Sequence, residues 1–440
     1  MTDGVETTLP AQPASERPFY FIVVLWGERF RNYFLDYCLA SALSPGNIPA
    51  LRPSRPSKFL IATRPEDWEA MRRSELFQLM ERYVESVYIE IPPCPPGMSG
   101  CQHMGTGHRI ACDMAHRDKA YAMVLTPDCM LSDGSVARLQ ELADRGTHLV
   151  LTAALRFGEE PFLGHFEKLG VIGGKSRGTP LAITGRQMVY AAVNGFHSET
   201  LAYEWDAPGL MVISPAAWWR VPGEDGIVLH SLSWAPLLLD YSAIESHDTS
   251  TFDQWTLDGD YLFNNSKEMT RIHVVQDSDE VFLASWGPMA ERPVSKGRFP
   301  FDYRLAGHFF RQSFYSGFFD PLKRELFFLP VRWHSQPLNE QWAEVEARAA
   351  VELRRWVEPP SDKKVADTAQ SPSLAGRLGG TIASLPMMSL RTVAYAWMFR
   401  RSIARYLLRI AKGDVAALER MFWLARTFMF GSGHSSGKLS

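Results

Sequence analysis

From Phe19 to Leu25 the chain reads Phe-Tyr-Phe-Ile-Val-Val-Leu, with no charged or small polar residue to interrupt it. Unbroken apolar, β-prone runs of this length belong to strands covered on both faces, as in a parallel sheet, whereas strands with one wet face alternate. Trp26-Gly-Glu-Arg-Phe-Arg follows, and then a helical pattern over Tyr33–Leu43 that Ser-Pro-Gly-Asn stops. The order then repeats. Lys58–Thr63 predicts a second buried strand, Pro65-Glu-Asp-Trp a helix start that runs to about Tyr83, and Val84–Ile91 a third strand. Strands alternating with helices in this way imply right-handed crossovers and a parallel sheet.

Farther along, Cys94–Gly107 reads as a Pro, Gly and Cys loop, His108–Lys119 as a helix and Ala120–Thr126 as a fourth strand. A short helix over Val136–Arg145 and a buried strand over His148–Leu155 come next, then helical signals that include Thr184–Asn194. Ile227–Tyr241 reads as one long strand, and Arg271–Gln276 and Glu280–Ser285 as two short ones. Aromatic-rich helices are expected over Ala306–Ser316 and Gln341–Trp356. The expected organisation is therefore a polar tail (1–18), an α/β domain (19–290), a helical aromatic-rich extension (291–358), a linker (359–385) and a basic amphipathic helical segment (386–430).

That last segment has an unusual charge pattern. Between Thr368 and Gly413 there is no acidic residue, while Arg377, Arg391, Arg400, Arg401, Arg405, Arg409 and Lys412 are interleaved with Tyr395, Trp397, Phe399, Ile403 and Leu407. Such a helix either docks its apolar face on protein or lies in an anionic membrane interface through 386–412.

Composition narrows the class. The chain has 440 residues, 46% hydrophobic and 22% charged, which is ordinary for a globular protein with a substantial core. A net charge of -3 gives no global attraction to nucleic acid, and none is expected as a partner. Cys38, Cys94, Cys101, Cys112 and Cys129 are odd in number and scattered, which argues for a reducing compartment rather than a disulfide framework. No window of about 18 apolar residues occurs, so the expected location is cytoplasmic, with peripheral attachment at the inner face of the cell membrane as the one membrane role left open. Cys94, Cys101, His103, His108, Cys112 and His116 match no common zinc spacing.

Two acidic pairs carry the candidate chemistry. Asp128 and Asp133 lie in Leu125-Thr-Pro-Asp-Cys-Met-Leu-Ser-Asp-Gly134, and Asp258 and Asp260 in Thr256-Leu-Asp-Gly-Asp-Tyr-Leu262. Asp128 falls at the carboxyl end of the predicted fourth strand, where ligands bind in open α/β sheets. Taken as extended chain, Asp258 and Asp260 face the same side. Hard divalent cations take oxygen ligands and bridge carboxylates to phosphates, so these pairs suit sugar-nucleotide chemistry. The competing reading of each pair is a turn or a helix cap.

Over roughly residues 19–290, through Phe19–Asn47, the Asp128 motif and the Asp258 motif, the chain resembles bacterial glycosyltransferases with a GT-A fold, in particular uncharacterised members of polysaccharide gene clusters. The resemblance implies a Rossmann-like, mostly parallel sheet flanked by helices that binds a nucleotide-sugar donor, with an acidic motif after the fourth strand holding Mg²⁺ or Mn²⁺ on the diphosphate. Strict Asp-X-Asp spacing is absent at Asp128 and present at Asp258, which lies later in the chain than the family places it. The expectation is that Asp128 and Asp133 contact metal or ribose, with Asp258 and Asp260 as further ligands or as the base for the acceptor. His230 is expected to complete the metal shell with Asp128 and Asp260, with His247 and Asp248 as a comparable candidate and His197 expected near the acceptor. Arg156 at a strand end, or Lys175 and Arg177 in the loop over 173–178, is expected to supply positive charge for the departing diphosphate. The acceptor would be a glycan or a lipid-linked glycan. A sugar nucleotidyltransferase and a non-catalytic carbohydrate- or nucleotide-binding protein on a degenerate transferase fold are the alternatives.

Overall fold

In the computed structural model, residues 16–172, 178–207, 215–253, 256–257, 259–267, 269–291, 303, 306–307, 310 and 321–357 are described. The core is a seven-stranded sheet. β1 (Phe19–Val24) is buried along its whole length and is flanked by β2 (Ser57–Thr63) and β4 (Tyr121–Leu125), both parallel to it, and β3 (Glu85–Glu90) lies parallel outside β2. On the other side β10 (Trp234–Asp240) runs antiparallel between β4 and β6 (Leu149–Ala153), and β11 (Ile272–Val274) closes that edge parallel to β6. The result is a Rossmann-like, mostly parallel α/β sheet flanked by helices, the architecture expected from the sequence.

Two small sheets extend it. β5 (Cys129–Leu131), β12 (Leu283–Gly287) and β7 (Arg156–Gly158) form one beyond the carboxyl ends of β4 and β6, and β8 (Ala216–Arg220), β9 (Gly226–Ser231) and β13 (Val331–His334) form the other. Ile227–Tyr241 is therefore not one strand. It folds back at Ser231–Ser233, where the Ser231 hydroxyl both donates to the Ser233 carbonyl and accepts from the Ser233 N–H, and the halves join different sheets. The apolar run is continuous because both halves are buried, so periodicity alone hides the turn.

The Gly-rich segment before His108 is also helical, over Gly100–Arg117. Ser99 caps it reciprocally with Gln102, and Gly107 sits where a Cβ would stand 2.8 Å from Val24 and 2.9 Å from Ala62. Glycine here buys close approach of helix to sheet rather than flexibility. Helices over Ser135–Asp144, Gly185–Asn194 and Glu340–Trp356 lie within one or two residues of the predicted spans, whereas the helix expected from Pro65 to about Tyr83 is two, Pro65–Arg72 and Glu75–Met80, broken at Ser74, which begins the second. A second core of Trp205, Trp219, Phe310, Phe327 and Trp342 fills the space between the β8–β9–β13 sheet and the Glu340–Trp356 helix. All five cysteines are free. No helix among the described residues is long and apolar enough to cross a membrane. The predicted linker and the basic segment (386–430) lie outside the described residues, as do Lys175 and Arg177.

Candidate functional site

β4 ends because Pro127 has no N–H to continue the ladder, and the chain turns through Thr126-Pro127-Asp128 into β5. The Asp128 carbonyl accepts from the Trp286 N–H at 3.3 Å, which ties this turn to β12. Its carboxyl group faces a cleft of about 420 Å³ at the carboxyl edge of the sheet. Ala153–Arg156 from the end of β6 and the start of β7, Ser233 from the β9–β10 turn, Ser285 and Trp286 from β12, and Glu199, Tyr203 and Glu291 complete the wall. Burial pushes the Asp128 carboxyl above its ordinary value, tempered by a hydrogen bond from the Thr126 hydroxyl, its own backbone and the charges of Arg156 and Arg29.

Arg156 is the guanidinium of this cleft, and its position is fixed by backbone. β7 and β12 pair in register, and a Cβ on Gly287 would overlap the Arg156 guanidinium, so the side chain lies over bare main chain. Glu291 holds one end at 3.1 Å and Glu199 the other at 4.0 Å. Glu199 is itself held. It accepts from the Tyr203 hydroxyl at 2.8 Å, and its N–H donates to Nδ1 of the fully buried His197 at 3.1 Å. Nε2 of His197 reaches the Pro288 carbonyl at 3.2 Å, so this ring is the neutral tautomer with its proton on Nε2. Sequence reasoning missed Glu199, Glu291 and Tyr203, for which no spacing signal exists.

The remaining predicted residues do not gather here. Asp133 is exposed and its Oδ1 accepts from the Gly46 N–H at 2.7 Å, which fixes a turn before the Ser135–Asp144 helix. Asp258 lies outside the described residues, and Asp260 belongs to the Gly259–Asn265 helix rather than to the extended chain expected there. His230 is a core histidine. It is 2% exposed on β9, with Nδ1 donating to the Phe327 carbonyl at 3.0 Å and its ring edge-on to Trp219. Burial lowers it to about 4, which keeps it neutral, and it lines no part of the cleft. His247 bridges Asp113 and the Tyr261 hydroxyl, again away from the cleft.

A different acidic group has the reach of a cation site. Asp277, Asp279 and His334 bring ligand atoms within 4.8 Å of one another and could hold a divalent ion. As built, however, Nδ1 of His334 faces the Gln336 carbonyl at 2.7 Å and Nε2 faces Asp277 at 2.8 Å. Two acceptors on one ring require two protons, and although burial disfavours the charged ring, these partners hold it above its ordinary value. Arg186 meanwhile clasps Asp279 through two nitrogens. A cation here would have to displace the Nε2 proton, so the donor set fits a salt bridge better than a metal.

At the other end of the same sheet edge, Arg29, Arg31 and Arg64 follow β1 and β2. Gly27, with φ 83°, turns the chain and donates to Asp67 at 2.7 Å, and Arg31 pairs with that carboxylate at 2.8 Å. Thr63 Oγ1, Arg64 Nε and His103 Nε2 are buried without hydrogen-bond partners among the described residues. Burial and then the charge of Arg64 depress the His103 imidazole, which packs edge-on to Trp26 at 4.8 Å. Buried polar atoms without partners are uncommon and invite a ligand.

No protein-family model matches the chain, and no curated protein matches it. Among solved structures, the apo crystal structure of mouse xyloside xylosyltransferase 1 aligns at 7% identity and TM-score 0.23 over 34% of this chain and 58% of that one. A putative glucose-1-phosphate thymidylyltransferase from Bacillus anthracis, in complex with a sucrose, aligns at 12% identity and TM-score 0.20, over 33% and 57% respectively. The chain thus spans somewhat over half the length of each, at scores too low to carry an argument about fold or function.

Proposed function

We propose that the protein transfers a sugar from a nucleoside-diphosphate donor to a hydroxyl of a glycan or lipid-linked acceptor. The observation that carries this reading is the Asp128 cleft itself: a half-buried carboxyl group at the carboxyl end of a central strand, facing a preorganised guanidinium across a space of about 420 Å³. The division of charge along the edge supports it. The arginines after β1 and β2, with the unpartnered atoms of Thr63, Arg64 and His103, suit a nucleoside diphosphate, and the carboxylate-lined cleft suits the sugar hydroxyls.

In this reading Asp128, its affinity for a proton raised by burial, takes the proton of the attacking hydroxyl, and Arg156 steadies charge as the leaving group departs. Were a divalent ion held by Asp128 instead, it would neutralise the diphosphate and Asp128 would no longer serve as the base. Engagement of Asp133 by Gly46 leaves Asp128 without its expected acidic partner, which is the observation favouring a non-catalytic binder on the same fold. A thermal-shift panel of nucleoside diphosphates and sugar nucleotides, with and without Mn²⁺, together with an assay of sugar-nucleotide hydrolysis, tests the proposal. Stabilisation plus turnover supports transfer, stabilisation alone supports the binder, and neither sinks both.

A further inference from the structure

The cleft holds three carboxylates, Asp128, Glu199 and Glu291, against one guanidinium, Arg156, among the described residues. Arg156 pairs with both Glu199 and Glu291, and with Asp128 the set as a whole stays acidic. Trp286 closes the same space at 1% exposure, with its ring packed against Tyr33, Tyr37 and Phe162. A wall that offers carboxylate acceptors with Tyr203, Ser233 and Ser285 among them matches a polyol ring. It repels a sugar ring that brings its own carboxylate.

We propose that this cleft selects a sugar bearing a free amine, a hexosamine, over the uronic acid built on the same ring. This rests on the transferase reading for the role of the sugar, not for its binding. Glu291 and Glu199 would accept from the ammonium group, whose charge meets the carboxylates that Arg156 now neutralises, while the ring hydroxyls reach Asp128. Arg156 consequently competes with the amine for the same acids.

Ligand-observed NMR titrations of the full chain with glucosamine, glucose and glucuronate, in EDTA at pH 7, read this directly. Glucosamine is expected to bind tightest and glucuronate weakest, with a glucosamine-to-glucuronate ratio on the order of tenfold or more. Glu291→Gln should lower that ratio and Arg156→Gln should raise it. Equal binding of glucosamine and glucuronate, or movement of the ratio in the same direction by both variants, would overturn the proposal. A parallel thermal shift with a nucleoside diphosphate separates the two readings. A nucleotide shift without the amine preference defeats this inference alone, and the amine preference without a nucleotide shift defeats the transferase reading and leaves an amine-selective sugar cleft.

Discussion

Two groups of acids in this protein share an inventory and differ in how fully they are satisfied. Around His334, Asp277 spends its carboxylate on the ring and on the Asp279 N–H, Asp279 on Arg186, and His334 on acceptors at both nitrogens. Around Arg156, by contrast, Asp128 forms no ion pair among the described residues, and burial raises its carboxyl above the ordinary value. Acids that are fully engaged stabilise the fold, and acids left short of partners in a cleft cost stability and are poised for a ligand. Proximity of ligating atoms alone would have ranked these two clusters the other way.

The largest effect that would break this contrast is at Asp128. Asp128→Asn keeps the shape and removes the base, so sugar-transfer or sugar-nucleotide hydrolysis activity should fall by about 10²–10⁴-fold. Thermal stability should hold or rise slightly, because a buried carboxyl group with a raised proton affinity is a poor contributor to folding. A variant that loses stability instead would place Asp128 with the structural acids.

Next in size is Gly287→Ala. Its Cβ would overlap the Arg156 guanidinium, so the side chain must leave its seat between Glu199 and Glu291 or the β7–β12 pair must separate. A cost of about 1–3 kcal/mol is expected from overpacking. In an Arg156→Gln background, where the side chain is shorter, the same alanine should cost much less. Urea melts of the single and double variants measure that coupling, and strict additivity would mean that Gly287 does not position Arg156.

A third test addresses the satisfied cluster. His334→Asn should cost about 1 kcal/mol near pH 5.5, since a charge-assisted bond to a partly exposed Asp277 is lost. The sign follows from the two shifts. The raised His334 gives stability that is full below its unfolded value of about 6.5 and fades as pH climbs through the folded value, and the lowered Asp277 gives stability present above about 3.9 that fades as pH falls through its folded value. The difference between wild type and variant should therefore peak between about pH 4 and 6.5 in chemical melts. A flat profile would say that Nε2 carries no proton, which reopens the cluster to a metal.

How much of this was legible in the chain follows from what periodicity can carry. β1, β2, β4 and β6 were readable because strands buried on both faces leave continuous apolar runs, and Asp128 was readable because a carboxyl group just past such a strand has a known address. The division of Ile227–Tyr241 was not, since its turn is made by Ser231 and Ser233 without glycine or proline. The helix over Gly100–Arg117 was hidden by glycines that serve packing. Glu199 and Glu291 were invisible because their role depends on Arg156, and nothing local marks a carboxylate that another element brings to a cleft. His230 misled for the converse reason: a histidine in an apolar strand looks exceptional, yet one backbone carbonyl, that of Phe327, is enough to keep it in the core.

Asp133 gives the smallest effect and the closest control on Asp128, since both acids lie in one short motif after β4. A carboxylate that accepts from the Gly46 N–H at 2.7 Å in an exposed setting contributes about 0.5–1 kcal/mol. Gly46 cannot compensate by changing, because a Cβ there would stand 2.5 Å from the Gly134 nitrogen, so the two turns touch at main chain. Asp133→Ala should accordingly lower the midpoint of thermal unfolding slightly and leave nucleotide stabilisation and turnover at wild-type levels. Asp133→Asn, whose amide oxygen can still accept, should restore most of the lost stability. Should Asp133→Ala instead abolish a Mn²⁺-dependent shift, the motif would act as the acidic pair that its sequence suggested, and the line drawn between satisfied and poised acids would have to run between two other residues.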